Sequence, residues 1–571
     1  MQNLDKKENL GNFEKVSTLF NEKKYDQALK ALQMINTKNF KFLMLRSQLY
    51  YSLNEFYLSN QDAENAISLQ PKNLKPYQLC VLNQIAMLNI QKAEDLIKAS
   101  EEKTVHNKAD NDEIKKLITR QKNQLNDQTK KYAIFPKYLA FMHYLYEQGA
   151  YINKVDISFN NEANRSVFST DVIKKKEIIL RIPLNALITL ETAQDSPSGK
   201  YLTQEVKAKL HSPNHCLLTA YLLDEMEKGE NSKWKFYFDM LPDNYDSFPI
   251  FYTEKEEKLL KGTVFLQRII QKKKEMNQDY IILCSVIKDF IRFSYVNFCK
   301  ARMIVSSRMF GVKINNKKTD ALVPYADMLN HKKPRQTNWN YEDIHQAFIV
   351  QALENIPAGC EVFDSYGKKC NSRFLLNYGF TIENNDTNEI RIEVILMDDG
   401  SELFKQKNVI LKNNISRKFN LKRDLEDTQT GLLFSFLRFI VLNENELNDF
   451  KNYKAESKLG PVSIVNELMA LEKLKKIMYV LLTNYGSTLQ ENVDYLNKNR
   501  NQMTFNEFNC YVMKISEMEI IQYYFDLATY CPKLFNKDKM ERIFKEERKN
   551  DDSEIYSTYI KEVYNAFFKK K

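Results

Sequence analysis

The amino-acid sequence predicts an α+β multidomain protein. Helical hairpin repeats come first, a β-rich domain with a helical insert follows, and an all-α domain comes last. Apolar residues recur three and four positions apart in residues 1–100, which is typical of amphipathic helices. Alternation typical of a strand begins near residue 150, and further strands are predicted at 347–353 and 389–396. From about residue 397 to the end, at residue 571, the periodicity is helical again.

The first 100 residues repeat a pattern in which a bulky residue is followed three positions later by a small one. The pairs that share it are Tyr25/Ala28, Phe56/Ser59 and Ile90/Ala93. Their offsets of 31 and 34 residues resemble the 34-residue period of tetratricopeptide repeats. We therefore expect two to three degenerate repeats in 1–100, with a plain helical bundle as the alternative. Residues 101–131 are strongly charged and predict a solvated linker helix.

The β-rich domain is predicted to cover residues 132–396, with a helical insert at about 200–305. RSVFS (165–169) and EIILRIP (177–183) are separated by a turn, and we expect them to pair as a hairpin. Residues 397–571 make up the predicted C-terminal helical domain.

Composition limits the classes of partner. The formal net charge is +10, from 84 basic and 74 acidic residues without a concentrated basic block, which favours a solvated lysine-rich exterior over a nucleic-acid surface. The most apolar run, 432–442, contains Arg438 and is too short to span a bilayer. The eight cysteines show no zinc-ligand spacing. We expect no metal, no membrane, reduced thiols, and a cytoplasmic or nuclear location.

The chemistry is concentrated between Leu322 and Phe380. The segment contains LVPYADMLNH, a polar gap, and GCEVFDSYGKKCNSRFLLNYGF, so that 35 residues separate His331 from Tyr366. These Asn-His and Tyr-Gly elements resemble the second half of a SET domain, the fold of protein methyltransferases that use S-adenosyl-L-methionine. The phrase SKWKFYFDMLPDNYDSFPIFYTEKEEKLLKGT also resembles the branch that methylates the Rubisco large subunit and actin histidine. Members of this branch have a helical insert and a C-terminal helical substrate-binding domain.

The resemblance implies a pocket for the methyl donor. The residues it assigns to donor binding are Glu177, Ile179, Ser307, Arg308, Asp327, Asn330, His331 and Tyr366. Arg308 would face the donor carboxylate, since a guanidinium forms bidentate contacts with such a group. The first half departs from the family pattern, because NRSVFST lacks the glycines expected there and Lys175-Lys176 replace a lysine-glycine turn.

Tyr366 is the predicted catalytic residue, because its hydroxyl can orient the accepting nitrogen toward the transferred methyl group. Phe310, Tyr378 and Phe380 are predicted to line the substrate channel. Phe310 offers no polar partner to the second nitrogen of a histidine acceptor, which favours lysine. The alternatives are a histidine acceptor and a catalytically silent scaffold. We expect a monomer that acts on a protein substrate, recruited in part through the N-terminal repeats.

Overall fold

The computed structural model describes residues 2–35, 38–104, 111–131, 136–159, 165–451, 458–535 and 557–568. The chain divides into two compact units. The first unit comprises residues 1–244 and 278–366, and the second comprises residues 245–277 and 367–571. The predicted 132–396 domain is thus divided between the two units, and its exact boundaries stay a prediction.

The first unit begins with antiparallel helices, as the apolar spacing predicts. Helices α1 to α8 span Gln2–Asn21, Tyr25–Leu32, Phe40–Ser52, Phe56–Leu69, Leu74–Ala86, Ile90–Lys103, Asp112–Lys131 and Pro136–Glu147. The α3–α4 hairpin and the α5–α6 hairpin start 34 positions apart, at Phe40 and Leu74. At the starts of α3, α5 and α6, an asparagine side chain accepts a hydrogen bond from a backbone N–H group. These hairpins agree with a repeat architecture, while the tetratricopeptide assignment stays a prediction.

Small residues let α3 and α4 approach closely. Ser47 Oγ donates to the carbonyl of Ser59 at 2.7 Å, and Ser59 Oγ donates to the carbonyl of Ser47 at 2.8 Å. Both serines are fully buried. The small residue predicted at position 59 therefore serves helix packing, because a larger side chain would separate the two backbones.

The strands form several small sheets. Strands β1 to β13 span Tyr151–Ile152, Val155–Phe159, Arg165–Ser169, Ile178–Pro183, Ile188–Thr189, Met309–Ile314, Lys317–Leu322, Asn330–His331, Thr337–Glu342, Ala347–Ala352, Phe363–Asp364, Ile390–Ile395 and Ser416–Leu421. A four-stranded sheet has the order β1-β4-β10-β9, and a three-stranded sheet has the order β5-β7-β6. The predicted hairpin of RSVFS with EIILRIP is wrong: β3 pairs with β2, and β4 pairs with β1 and β10.

The predicted insert is helical. Between β5 and β6 lie α9 to α15, at Leu190–Gln194, Gln204–Lys209, Pro213–Glu227, Lys235–Phe238, Glu254–Leu259, Val264–Val286 and Tyr295–Arg308. Trp234 and Tyr237, from the phrase that resembles the family, are fully buried. Trp234 Nε1 donates to the hydroxyl of Tyr221 in α11 at 2.8 Å, so the polar edge of the buried ring is satisfied.

The N-terminal hairpins join the β-rich part through a buried ionic cluster. His345 Nδ1 lies 2.9 Å from Glu55 Oε1, and His345 Nε2 lies 3.4 Å from Asp26 Oδ1. Arg181 of β4 pairs with the same Glu55 oxygen at 2.8 Å and donates to the carbonyl of Leu53. The side chains of His345, Glu55 and Arg181 are at most 5% exposed. Side chains from the α2–α4 region are therefore tied directly to the sheet.

Carboxylates determine the protonation state of His345. Burial alone would lower its pKa, but hydrogen bonds to Asp26 and Glu55 raise the pKa to about 9, with Arg181 opposing. Glu342 also faces the ring, at 3.4 Å. A histidine whose pKa is raised by folding stabilises the fold fully below its unfolded pKa, near 6.5, and this stabilisation is lost as the pH rises through about 9.

We expect this histidine to give the first unit a pH-dependent stability. Relative to His345→Gln, the wild type should lose roughly 2–3 kcal/mol of unfolding free energy between about pH 6.5 and about pH 9.5. Both tryptophans, Trp234 and Trp339, lie in the first unit, so urea unfolding followed by tryptophan fluorescence reports on it. The same pH slope in both proteins would contradict the prediction.

The second unit is mainly helical, as predicted. After β11 come α16 to α23, at Asn371–Tyr378, Glu402–Ile410, Thr428–Ile440, Glu444–Leu447, Ile464–Thr483, Leu489–Asn499, Phe505–Tyr530 and Ser557–Phe567. The expectation of helices alone after residue 397 is wrong in one place, since β13 pairs with β12 in an antiparallel ladder. In β13 only Phe419 and Leu421 are buried apolar residues, and they lie two positions apart, as expected for a strand. Two residues are too few to reveal a period of two in the sequence.

Two further features concern the whole described chain. All eight cysteines are free thiols. Among the helices that the structure describes, none is long and apolar enough to cross a membrane.

Candidate active site

Two short parallel strands bring the ends of the motif together. Strand β8, Asn330–His331, pairs with β11, Phe363–Asp364, so that Asn330 lies opposite Phe363 and His331 opposite Asp364. Tyr366 follows β11 by two positions and therefore emerges beside β8. Segments separated by 35 residues thus converge, which is the geometry that the predicted site requires.

Tyr366 is held at both its amide and its hydroxyl. Its backbone N–H donates to His331 Nδ1 at 3.0 Å, and its hydroxyl donates to the carbonyl of Leu329 at 2.9 Å. The two rings stack with centroids 5.2 Å apart and an interplanar angle of 28°. Because Nδ1 of His331 accepts a hydrogen bond, it carries no proton in this arrangement. The phenol oxygen is thereby fixed next to a main-chain carbonyl.

Asn330 joins β8 to β3. Its Nδ2 lies 2.8 Å from Glu361 Oε1, 3.2 Å from the carbonyl of Arg165 and 3.2 Å from Ser166 Oγ. The side chain is half-buried. Contacts to three acceptors restrict the amide to one orientation, which suits a group that must recognise a ligand in one conformation.

A second group of polar side chains meets at Asp327, three residues before β8. Arg308, the last residue of α15, donates from Nη1 to the carbonyl of Asp327 at 3.0 Å and to its Oδ2 at 3.1 Å. The hydroxyl of Tyr237 donates to the same Oδ2 at 2.7 Å. The Asp327 side chain is fully buried, whereas that of Arg308 is 16% exposed. Tyr237 was not among the predicted site residues, because no sequence pattern connects it to Asp327.

Two of the predicted donor-binding residues, Glu177 and Ile179, come from the first half of the domain. Burial alone would raise the pKa of Glu177, but hydrogen bonds from Lys154, from the Lys174 backbone and from Asn153 lower it to about 2. By accepting these hydrogen bonds, the Glu177 carboxylate stabilises the turn before β4. Ile179 is fully buried in β4. The donor-binding roles of Glu177 and Ile179 stay predictions.

Ser307 directs its hydroxyl back along α15, where Oγ donates to the carbonyl of Met303 at 2.8 Å. This bond satisfies the hydroxyl within its own helix. Whether Ser307 contacts the donor through its main chain stays a prediction.

Phe310 belongs to an aromatic cluster on β6, β9 and β10. Its ring centroid lies 5.2 Å from that of Trp339 and 5.1 Å from that of Phe348. Trp339 lies in a polar gap of the sequence. In the structure it belongs to strand β9, and its ring packs against those of Phe310 and Phe348. The contribution of Phe310 to a substrate channel stays a prediction.

Tyr378 and Phe380 lie in the second unit. They form an aromatic group with Phe374, whose ring centroid lies 5.2 Å from that of Phe380 and 6.0 Å from that of Tyr378. Burial raises the pKa of Tyr378. These three rings pack together within the second unit. The role of Tyr378 and Phe380 in a substrate channel stays a prediction.

The residues present fit the predicted methyl donor. Oδ1 of Asp327 is buried and has no hydrogen-bond partner among the described residues. An unpartnered buried carboxylate oxygen requires a donor such as an ammonium or hydroxyl group, and S-adenosylmethionine carries both. Arg308 supplies a positive charge for the carboxylate of S-adenosylmethionine. No group of three or more metal-ligating side chains occurs among the residues described.

Two regions of the chain match known protein families. Residues 164–367 match the SET domain family, and residues 398–521 match the Rubisco LSMT substrate-binding family. The chain is similar to the actin-histidine N-methyltransferases of Gallus gallus (24% identity, covering 66% of each chain) and Xenopus tropicalis (25% identity, covering 70% of this chain and 71% of that one). It spans about two thirds of the length of these relatives.

Solved structures show the same fold. Rubisco LSMT bound to AdoMet has a TM-score of 0.59 at 19% identity, and the match covers 74% of this chain and 99% of that one. Rubisco LSMT bound to sinefungin and monomethyllysine has a TM-score of 0.58 at 20% identity, with the same coverage. The chain therefore contains a SET domain, the fold of S-adenosylmethionine-dependent protein methyltransferases, followed by a Rubisco LSMT substrate-binding domain.

Proposed function

We propose that this protein transfers a methyl group from S-adenosylmethionine to a side-chain nitrogen of a protein substrate, with lysine as the preferred acceptor. The observation that carries the proposal is the convergence of Tyr366 with the Asn330–His331 pair. The hydroxyl of Tyr366 donates to the carbonyl of Leu329, and its backbone N–H donates to Nδ1 of His331. Asp327 lies three residues before Asn330, and Arg308, at the end of α15, donates to its carbonyl.

The bound donor would supply an electrophilic methyl group on a sulfonium centre. Arg308 and the open oxygen of Asp327 would bind the donor's charged amino-acid end, and Asn330 would orient it. The hydroxyl of Tyr366 and the carbonyl of Leu329 would hold the accepting nitrogen in line for transfer, which is a contribution of positioning. The acceptor must lose a proton first, and a nearby positive charge favours its neutral form.

The preference for lysine rests on the Phe310 cluster. The half-buried rings of Phe310 and Trp339 would provide an aromatic surface that accommodates a lysine side chain and attracts its cation. A histidine acceptor is the second candidate, because the curated relatives are named actin-histidine methyltransferases. Labelled S-adenosylmethionine, a lysate and mass spectrometry of the modified residue would distinguish the two acceptors. Labelling confined to histidine would contradict the lysine preference.

Donor binding is the first prediction of this function. S-adenosylhomocysteine at about 100 times its Kd should stabilise the wild type by about 2.7 kcal/mol, which is seen as a rise in Tm. Asn330→Ala should lose most of this rise, because the amide that orients the ligand is gone. An exposed substitution in the second unit, Glu472→Ala, should retain it.

The same thermal measurement tests the scaffold alternative. If S-adenosylhomocysteine leaves the Tm of the wild type unchanged at millimolar concentration, the protein does not bind the donor product and acts as a scaffold instead.

We further propose a monomer of the cytosol or nucleus, in which the N-terminal hairpins present a surface to a partner or substrate protein. The free state of all eight cysteines supports a reducing compartment. Size-exclusion chromatography with light scattering and imaging of a tagged protein test these two points.

A further inference from the structure

The Asp327 carboxylate receives hydrogen bonds from two different elements of the first unit. Arg308 approaches from the end of α15 at 3.1 Å, and Tyr237 approaches from α12 at 2.7 Å. The carboxylate is fully buried, so protein groups must replace the water it would otherwise bind. Both of these bonds end on Oδ2, whereas Oδ1 has no partner among the described residues.

Tyr237 itself is held rigidly. Its side chain is fully buried, and its ring packs against Phe141 of α8 with centroids 6.5 Å apart. Phe141 also stacks on Tyr325, at 6.5 Å and an interplanar angle of 10°. Tyr325 has φ +72°, a conformation that a non-glycine residue adopts only when its surroundings enforce it. The aromatic layer therefore fixes both Tyr237 and the loop that carries Asp327.

We propose that Tyr237 is a positioning residue for donor binding: its hydroxyl orients the Asp327 carboxylate, and through it the guanidinium that receives the donor carboxylate. This inference rests on the proposed function. Arg308 Nη1 is directed by two oxygens of a single residue, so its direction follows the orientation of Asp327. Without the Tyr237 hydroxyl, the buried carboxylate can rotate toward its remaining cation and draw the guanidinium away from the ligand.

The test compares Tyr237→Phe with Tyr144→Phe by calorimetric titration of S-adenosylhomocysteine. Tyr144 is a matched control, because it is buried, its ring lies 6.0 Å from Phe236 next to Tyr237, and its hydroxyl has no hydrogen-bond partner among the described residues. Tyr237→Phe should raise the Kd about tenfold, the effect of losing a hydrogen bond to a charged group, and Tyr144→Phe should leave it unchanged. The kcat at saturating S-adenosylmethionine should stay within about twofold for Tyr237→Phe, because Tyr237 does not contact the acceptor.

A double-mutant cycle separates positioning from general damage. Asp327→Asn should also weaken binding, and adding Tyr237→Phe to it should have little further effect, because Tyr237 acts only through Asp327. An unchanged Kd in Tyr237→Phe, or effects that add fully, would overturn the inference. If Tyr237→Phe does not fold, Tyr237→Leu, which also lacks the hydroxyl, takes its place: an unchanged Kd overturns the inference, and a raised Kd that is not raised further in the Asp327→Asn background supports it. Failure of the wild type to bind S-adenosylhomocysteine would instead refute the proposed function.

Discussion

Tyr366→Phe should lower turnover about 100-fold and change the Kd for S-adenosylhomocysteine less than about threefold. The substitution removes the hydroxyl that donates to the carbonyl of Leu329. It leaves the backbone amide that donates to His331 and the stacked ring, so the shape of the site is retained. The large effect falls on kcat because the hydroxyl aligns the acceptor rather than the donor.

Separate measurements of kcat and of ligand affinity check this prediction. Kinetics with saturating S-adenosylmethionine give kcat, and calorimetric titration gives the Kd. Tyr144→Phe serves again as the control, with both values unchanged. If kcat and affinity fall by the same factor, Tyr366 shapes the donor pocket and its assignment as the catalytic residue is wrong.

Glu467→Ala in the second unit should destabilise the protein strongly. Glu467 of α20 forms a bidentate pair with Arg438 of α18, with both distances 2.8 Å. The two side chains are 0% and 3% exposed. Tyr559 of α23 also donates to Glu467 Oε1, at 2.5 Å. Removing the carboxylate leaves a buried guanidinium without its main counter-charge, which should destabilise the second unit by about 3–5 kcal/mol.

A matched control lies on the same helix. Glu472 pairs with Lys476 at 3.4 Å, but both side chains are more than half exposed, so Glu472→Ala should change stability by less than about 0.5 kcal/mol. Hydrogen exchange of the α18 and α20 amides is the appropriate measurement, because two compact units need not unfold in one step. Equal exchange rates in the two variants would show that the buried pair contributes no more than the exposed one.

Much of the architecture follows from local patterns. Apolar spacing of three and four predicts the hairpins from Tyr25 onward, and alternation predicts β12 at Ile390–Ile395. These patterns succeed because each element buries one face, and the period of a buried face is set by the geometry of the backbone. The motif around Asn330 and Tyr366 is also recognisable, since its residue types and order recur in the SET fold.

Pairing between strands could not be obtained in the same way. Alternation assigns the faces of Arg165–Ser169, but it does not identify the neighbouring strand, and the structure pairs this segment with β2 rather than β4. The same limit applies to β13, whose six residues carry only a weak period.

The N-terminal helical hairpins, the helical insert and the SET domain with its Asn-His and Tyr-Gly elements can be recognised from the sequence alone, because they depend on local periodicity and on a linear motif. By contrast, the hydrogen bond from Tyr237 to Asp327 and the position of His345 between Glu55 and Asp26 are visible only in the folded protein. These contacts join residues far apart along the chain. They depend on which surfaces pack together, and side-chain spacing carries no information about that choice.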